Sequence, residues 1–157
     1  MIYGWIIILV SIIIDQLTKH IIKGQLGLYE SIPVIPNFFN ITHAENTGGA
    51  WSLFSGNLAF LIIMTVISLV VFGYFFKKAD FKTMKVYTIG ISLAIGGTIG
   101  NFIDRLFNGG KVIDFLDFII LGYDFPIFNV ADICLCVGIA LFLFDLCFLE
   151  DRRNKMY

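Results

Sequence analysis

Apolar residues in this chain come in runs too long for the core of a soluble domain. Leu58 to Phe76 is 19 residues without a formal charge, and Val86 to Ile103 adds 18 more. At 1.5 Å of rise per helical residue, about 20 residues cross a hydrocarbon layer roughly 30 Å thick. Both runs therefore predict membrane-spanning helices. Two further runs carry charged passengers. Met1 to Ile22 opens with 14 uncharged residues before Asp15, Lys19 and His20, and Val130 to Leu149 holds Asp132 and Asp145. The pattern predicts one integral-membrane domain over residues 1–157, with spans at about 2–22, 58–76, 86–106 and 130–149. Two long connections, 23–57 and 107–129, and one short one, 77–85, join them.

Charge sets the orientation. Lys77, Lys78, Lys82 and Lys85 crowd the short connection and Arg152, Arg153 and Lys155 follow the last span, so seven of the 11 basic residues share one side. Basic excess marks the cytoplasmic face, so both termini are expected inside and the two long connections outside. The first span lacks a basic leader and a small-residue cleavage site, and reads as a retained anchor. Apolar residues make up 58% of the chain and the net charge is −1, which gives no reason to expect a nucleic-acid partner. Cys134, Cys136 and Cys147 all fall in the fourth span, and with only two histidines no zinc-ligand spacing is present. No metal or cofactor is expected.

Carboxylates near a bilayer cost a few kcal/mol each, so each asks for a reason. Asp15 and Lys19 lie four apart, on one helix face, and can pair. Asp104 and Arg105 end the third span; as neighbours they point to different faces, while Arg105 and Asn101 share a stripe. Gly96 and Gly100 form a small-xxx-small pair that lets another helix approach closely. Asn129 is suited to cap the fourth span, with Asp132 at the third helical position, where a helix end favours negative charge.

Asp114 and Asp132 are both expected at the outer interface. If they meet, they cannot both ionise cheaply and would share one proton. Such a pair has the chemistry of an aspartic protease, one carboxylate taking a proton from water while the protonated partner polarises a carbonyl. The plainer alternative makes Asp114 a solvated loop acid and Asp132 a capping acid. Asp117 and Asp124 are rivals on spacing, whereas Asp145 lies too deep. Ser31 to Asn40, with Pro33 and Pro36, predicts short edge strands and turns. Asn46 to Trp51 predicts a turn returning to the membrane, with Trp51 in the headgroup layer. Residues 112–121 predict an interfacial segment.

Five blocks stand in order along these spans: Asp15-Gln16-Leu17-Thr18-Lys19; Asn46-x-Gly48-x-Ala50-Trp51; Gly96-Gly97-x-Ile99-Gly100-Asn101-x-x-Asp104-Arg105; Val112-Ile113-Asp114-Phe115; and Phe125-Pro126-x-Phe128-Asn129-x-Ala131-Asp132. Together they resemble bacterial lipoprotein signal peptidase, also called signal peptidase II, over nearly the whole chain. The resemblance implies a membrane all-α fold with a small β element: a four-transmembrane-helix bundle, an outward-facing β-cradle between helices 1 and 2, and an interfacial segment between helices 3 and 4. It implies an intramembrane aspartic endopeptidase of the bacterial plasma membrane, working at the outer leaflet. Its substrates would be prolipoproteins, cut immediately before the diacylglyceryl-modified cysteine, and its inhibitor the cyclic peptide globomycin. Asp114 and Asp132 would be the catalytic pair. Asn46, Gly48, Asn101, Asp104, Arg105 and Asn129 would orient substrate or dyad, with Asp15 and Lys19 supporting the first helix. Membrane lipids would be its other contacts, and it would act as a monomer.

Two departures from the family pattern stand out. Gly49 replaces an alanine, which should loosen that turn, and Asn108-Gly109-Gly110 makes the stretch before Asp114 about one residue longer. A small proton- or cation-coupled transporter subunit is the rival class, and it predicts acids spread through the membrane depth. A non-catalytic assembly factor held by the Gly96/Gly100 surface is a second.

Overall fold

The structure, a computed structural model, describes residues 1–49 and 53–150. Ala50, Trp51, Arg152, Arg153 and Lys155 lie outside the described residues. Four helices carry the chain: α1 (Ile2–Gln25), α2 (Leu58–Phe76), α3 (Lys85–Phe107) and α4 (Val130–Phe144), the last continuing through a π-helical turn, Asp145–Leu149. Each, α4 with its π turn included, is long and apolar enough to cross a membrane, as a multi-pass membrane protein requires.

Helix α3 is the hub, and its small residues explain why. In lipid, apolar side chains gain nothing by leaving the solvent, so helices associate through close van der Waals contact and polar bonds. A Cβ added at Gly97 would lie 2.3 Å from the Ala131 carbonyl oxygen, and one at Gly90 2.6 Å from the Phe142 nitrogen. From the other side, a Cβ at Gly138 would lie 2.5 Å from the Ala94 nitrogen. Helices α3 and α4 thus touch backbone to backbone. Gly96 and Gly100 perform the same service towards α1, where added methyls would meet Ser11 Cβ at 2.7 Å and Asp15 Oδ2 at 2.6 Å. Around the end near the short connection, Ile8, Phe76, Tyr87, Ile91 and Phe142 form a buried apolar plug. The opposite end is filled by polar side chains, including Asp15, Lys19, Asn101, Asp104, Asp114 and Asn129.

Both long connections contribute to one antiparallel sheet in the order β1-β2-β3-β4, with β1 Ser31–Ile35, β2 Phe39–Asn46, β3 Val112–Ile120 and β4 Tyr123–Asp124. Residues 112–120 therefore form a strand of the sheet, which is not confined to the connection between helices 1 and 2. The reason is compositional: β-branched and aromatic residues dominate Val112–Ile120, and they satisfy their backbone groups against β2. The edge strand β1 carries Pro33 beside a register shift, as an edge tolerates. A register shift between Ile41 and Ala44 brings Ala44 opposite Asp114 and Asn46 opposite Val112. The Phe128 carbonyl accepts from the Phe115 and Leu116 amides at 3.0 and 2.8 Å, which draws the start of α4 against β3.

If backbone contact at Gly97 holds α3 to α4, Gly97→Ala should destabilise the protein by roughly 1–3 kcal/mol through overpacking. Gly73→Ala on α2, where nothing among the described residues lies within 4 Å, should be neutral or stabilising. Thermal unfolding in detergent micelles compares the two.

Candidate functional site

The site is built around the N-terminus of α4. Asn129 caps that helix by accepting the Asp132 amide at Oδ1, 3.0 Å, while Asp132 Oδ2 accepts the Asn129 amide at 3.1 Å. This reciprocal capping box spends two donors a helix end otherwise leaves unpaired. It also fixes the Asp132 carboxyl, whose Oδ1 accepts from Asn101 Nδ2 at 2.8 Å.

The other end of the Asn129 side chain reaches strand β3. Its Nδ2 donates to Asp114 Oδ1 at 2.6 Å and lies 3.1 Å from Asn101 Oδ1. Asp114 Oδ2 accepts from Asn46 Nδ2 at 3.0 Å, at the end of β2. One fully buried residue thus bridges both carboxyls, and all four carboxyl oxygens accept an N–H from a neutral amide. Asn46 is held by its turn, with Gly48 N donating to Oδ1 at 2.9 Å and Nδ2 also donating to the Gly49 carbonyl at 3.1 Å. Gly49 sits at φ +69°, which suits glycine and gives the residue a conformational reason for being there.

Behind the pair, Lys19 spends three donors: on Asp15 Oδ2 at 2.9 Å, Asp104 Oδ2 at 3.2 Å and Asn101 Oδ1 at 2.8 Å. Asp15 Oδ1 accepts the Ala131 amide at 2.9 Å, and Asp104 Oδ2 accepts the Ile113 amide at 3.0 Å, next to Asp114. Gln16 joins the two acids, donating to Asp15 Oδ2 at 3.1 Å and Asp104 Oδ1 at 3.0 Å. Arg105, half-buried at the rim, donates Nη1 to the Asn101 carbonyl at 3.2 Å, and its buried Nε has no partner among the described residues. On the side of Lys19 and Asp104 turned towards Lys23 lies a cleft of about 220 Å³, lined also by His20, Phe107 and Asn108.

The sequence candidates therefore separate cleanly. Asp114, Asp132, Asn46, Asn101 and Asn129 converge, with Gly48 shaping the turn; Asp15, Lys19 and Asp104 form the buried support, and Arg105 stands beside it. Asp117 instead accepts from Thr42 Oγ1 at 2.6 Å on the sheet, Asp124 lies in β4, and Asp145 in the π turn at the far end of α4. Gln16 was not among the candidates, although it stands between two of them; a neutral amide beside a charged pair gives no signal of its own. Among the described residues, no three His, Cys, Asp or Glu side chains converge as around a metal ion.

Burial, and then the neighbouring Asp132 charge, push the Asp114 carboxyl up to about 7, against the opposing pull of the Asn46 and Asn129 amides and the Lys19 charge. In the unfolded chain the same group ionises near 4. Its folded form therefore binds the proton more tightly, and the stability this contributes is complete below about pH 4 and lost as pH rises through about 7. Melting temperature should fall between pH 5 and 8, and less steeply in Asp114→Asn, which cannot ionise there; parallel slopes would contradict the assignment.

Residues 7–148 match the family model described as signal peptidase (SPase) II. The chain is 45% identical over 144 residues to "Lipoprotein signal peptidase" of Staphylococcus aureus strain JH9, covering 92% of this chain and 86% of that one, and equally to that of strain Newman. A solved structure described as "Bacterial membrane enzyme structure by the in meso method at 2.3 A resolution" superposes with a TM-score of 0.83 at 42% identity, covering 98% of this chain and 91% of that one. A second, at 1.9 Å, gives 0.81 at 43% identity, covering 92% of each. With five motifs in order, four apolar helices and a model match across nearly its full length, the chain belongs to the signal peptidase II family.

Proposed function

We propose that this protein is an intramembrane aspartic endopeptidase that removes the signal peptide from prolipoproteins, cutting immediately before the diacylglyceryl-modified cysteine. The observation that carries the proposal is the Asn129 bridge, which holds Asp114 and Asp132 side by side at the polar end of the bundle. The substrate class follows from the relatives' name, lipoprotein signal peptidase. The basic residues of the 77–85 connection support cytoplasmic termini and an active site at the outer leaflet of a bacterial plasma membrane, with residues 1–157 acting as one domain.

The two acids differ in surroundings, and this assigns their roles. Asp132 stands at the third position of α4, both oxygens accepting N–H bonds, one from the helix's own first turn. That position favours its ionised form. Asp114 is 3% exposed on a strand, without a helix end to stabilise its charge, and holds the shared proton. In the reaction Asp132 takes a proton from water as the water oxygen bonds to the scissile carbonyl carbon, and Asp114 gives its proton to the carbonyl oxygen. Collapse of the tetrahedral intermediate returns a proton to Asp114, the C–N bond breaks, and the proton held by Asp132 passes to the leaving nitrogen. The dyad ends as it began. The Arg105 guanidinium, with donors to spare at the rim, suits a substrate carbonyl.

The lipid anchor fits this arrangement. Two acyl chains confine the substrate to the bilayer plane and supply binding free energy remote from the scissile bond, which can be spent on positioning it. A purified preparation given a diacylglyceryl-modified precursor should cleave it. Asp114→Asn and Asp132→Asn should each lose activity by at least about 10²–10⁴-fold. The rate should fall at both pH extremes, since only the singly protonated pair works. Cleavage that survives both substitutions ends the mechanism, and a rate flat across the whole range with the fold intact counts against two coupled acids.

A further inference from the structure

We infer that Lys19 is a positioning residue for the dyad: with its three ammonium donors all spent inside the protein, it aims the donor on Asp132, anchors the strand that carries Asp114, and by its charge sets the pH window in which the two acids share one proton. The inference rests on the aspartic reading above. Lys19 is 1% exposed, and its three ammonium protons meet three acceptors, Asp15, Asp104 and Asn101. No donor is left for a ligand.

The aiming follows from the bonding capacity of an amide. Asn101 Oδ1 accepts from Lys19 Nζ at 2.8 Å and faces Asn129 Nδ2 at 3.1 Å, both donors. A flipped Asn101 would turn its NH2 against an ammonium and another NH2. Only one orientation is therefore allowed, and it directs Nδ2 at Asp132 Oδ1. The anchoring runs through Asp104 Oδ2, which accepts both from Lys19 and from the Ile113 amide, one residue before Asp114. One cation thereby ties α1 to both arms of the dyad.

Charge supplies the third part. The groups facing this region are Asp15 on α1, Asp104 and Arg105 on α3, Asp114 on β3 and Asp132 on α4, with Gln16 neutral between them and His20 and Lys23 across the cleft. Four carboxyls stand against Lys19 and Arg105 in the interior. Lys19 opposes the effect of burial on Asp114, so removing its charge raises the proton affinity of the pair in both titration steps.

The test is the pH profile of kcat/KM for the full chain in micelles, on a diacylglyceryl-modified precursor peptide. Lys19→Gln keeps a donor for Asn101 but no charge, and Lys19→Met keeps neither. In both, the acid and alkaline limbs should move to higher pH by about one unit, the low end expected for loss of a nearby opposite charge. KM should hold while kcat falls, more in Lys19→Met. Lys19→Arg should restore the limbs. Asp104→Asn, which retains an acceptor for the Ile113 amide but loses an anion, should move them the other way, and it provides the reading if the Lys19 variants do not fold. Limbs unmoved in a folded Lys19→Gln, or an effect confined to KM, would overturn the inference while leaving the dyad intact. Cleavage by Asp114→Asn would instead remove the dyad reading and this inference with it.

Discussion

Two acids held close together in a poorly solvated place need hydrogen-bond donors that do not also neutralise them, and this requirement shapes the polar end of the molecule. An ammonium or guanidinium bonded directly to either carboxyl would favour its ionised form. Among the described residues, the donors that reach Asp114 and Asp132 are instead the side-chain amides of Asn46, Asn101 and Asn129, together with one backbone amide. The cations stand one bond further back: Lys19 reaches the dyad through Asn101, and Arg105 bonds to the Asn101 carbonyl. Burial and the neighbouring Asp132 charge raise the Asp114 carboxyl to about 7, while the neutral donors and the Lys19 charge pull it back only in part, so both of its protonation states are accessible.

Such a cluster can exist only if the scaffold tolerates it, and the scaffold's tolerance comes from glycine. Because Gly90, Gly96, Gly97 and Gly100 let α1 and α4 close on α3, the polar groups sit in a space too tight for lipid. Gly100 shows the coupling most directly, since a methyl there would displace the Asp15 carboxylate that bonds Lys19 and the Ala131 amide. At the other end Phe76, Tyr87 and Phe142 fill the bundle with aromatic bulk. One end packs by shape and the other by hydrogen bonds.

How much of this was legible depends on period. The spans were plain because long apolar runs, two of them without a formal charge, have one physical explanation, and α2 begins and ends at the residues its run gave. The pairing of Asp15 with Lys19 and the capping box of Asn129 and Asp132 follow from helical spacing and were equally readable. Strand β3 was not, because its mixed apolar face and its two acids suit an interfacial segment as well as a strand, and only pairing with the distant β2 decides. Had its period of two been available, Asp117 would have dropped out at once: three residues from Asp114, it must face the opposite side of the sheet, where it bonds Thr42. Gln16 escaped for a different reason, because its value lies in two acids brought together from α1 and α3.

The turn between α3 and β3 is set by two glycines. Helix α3 stops at Asn108, and Gly109 and Gly110 follow at φ +62° and +85°, a pair of left-handed residues that reverses the chain within a few residues. A side chain at Gly110 would come within 2.8 Å of Leu58 Cδ2, at the start of α2, so the Leu58 side chain would have to shift to admit it. Beyond it the Ile113 amide meets Asp104 Oδ2 at 3.0 Å, which ties the start of β3 to the last turn of α3. Asp114 thus sits on a strand whose base is bonded to α3, one residue beyond the amide that Asp104 holds.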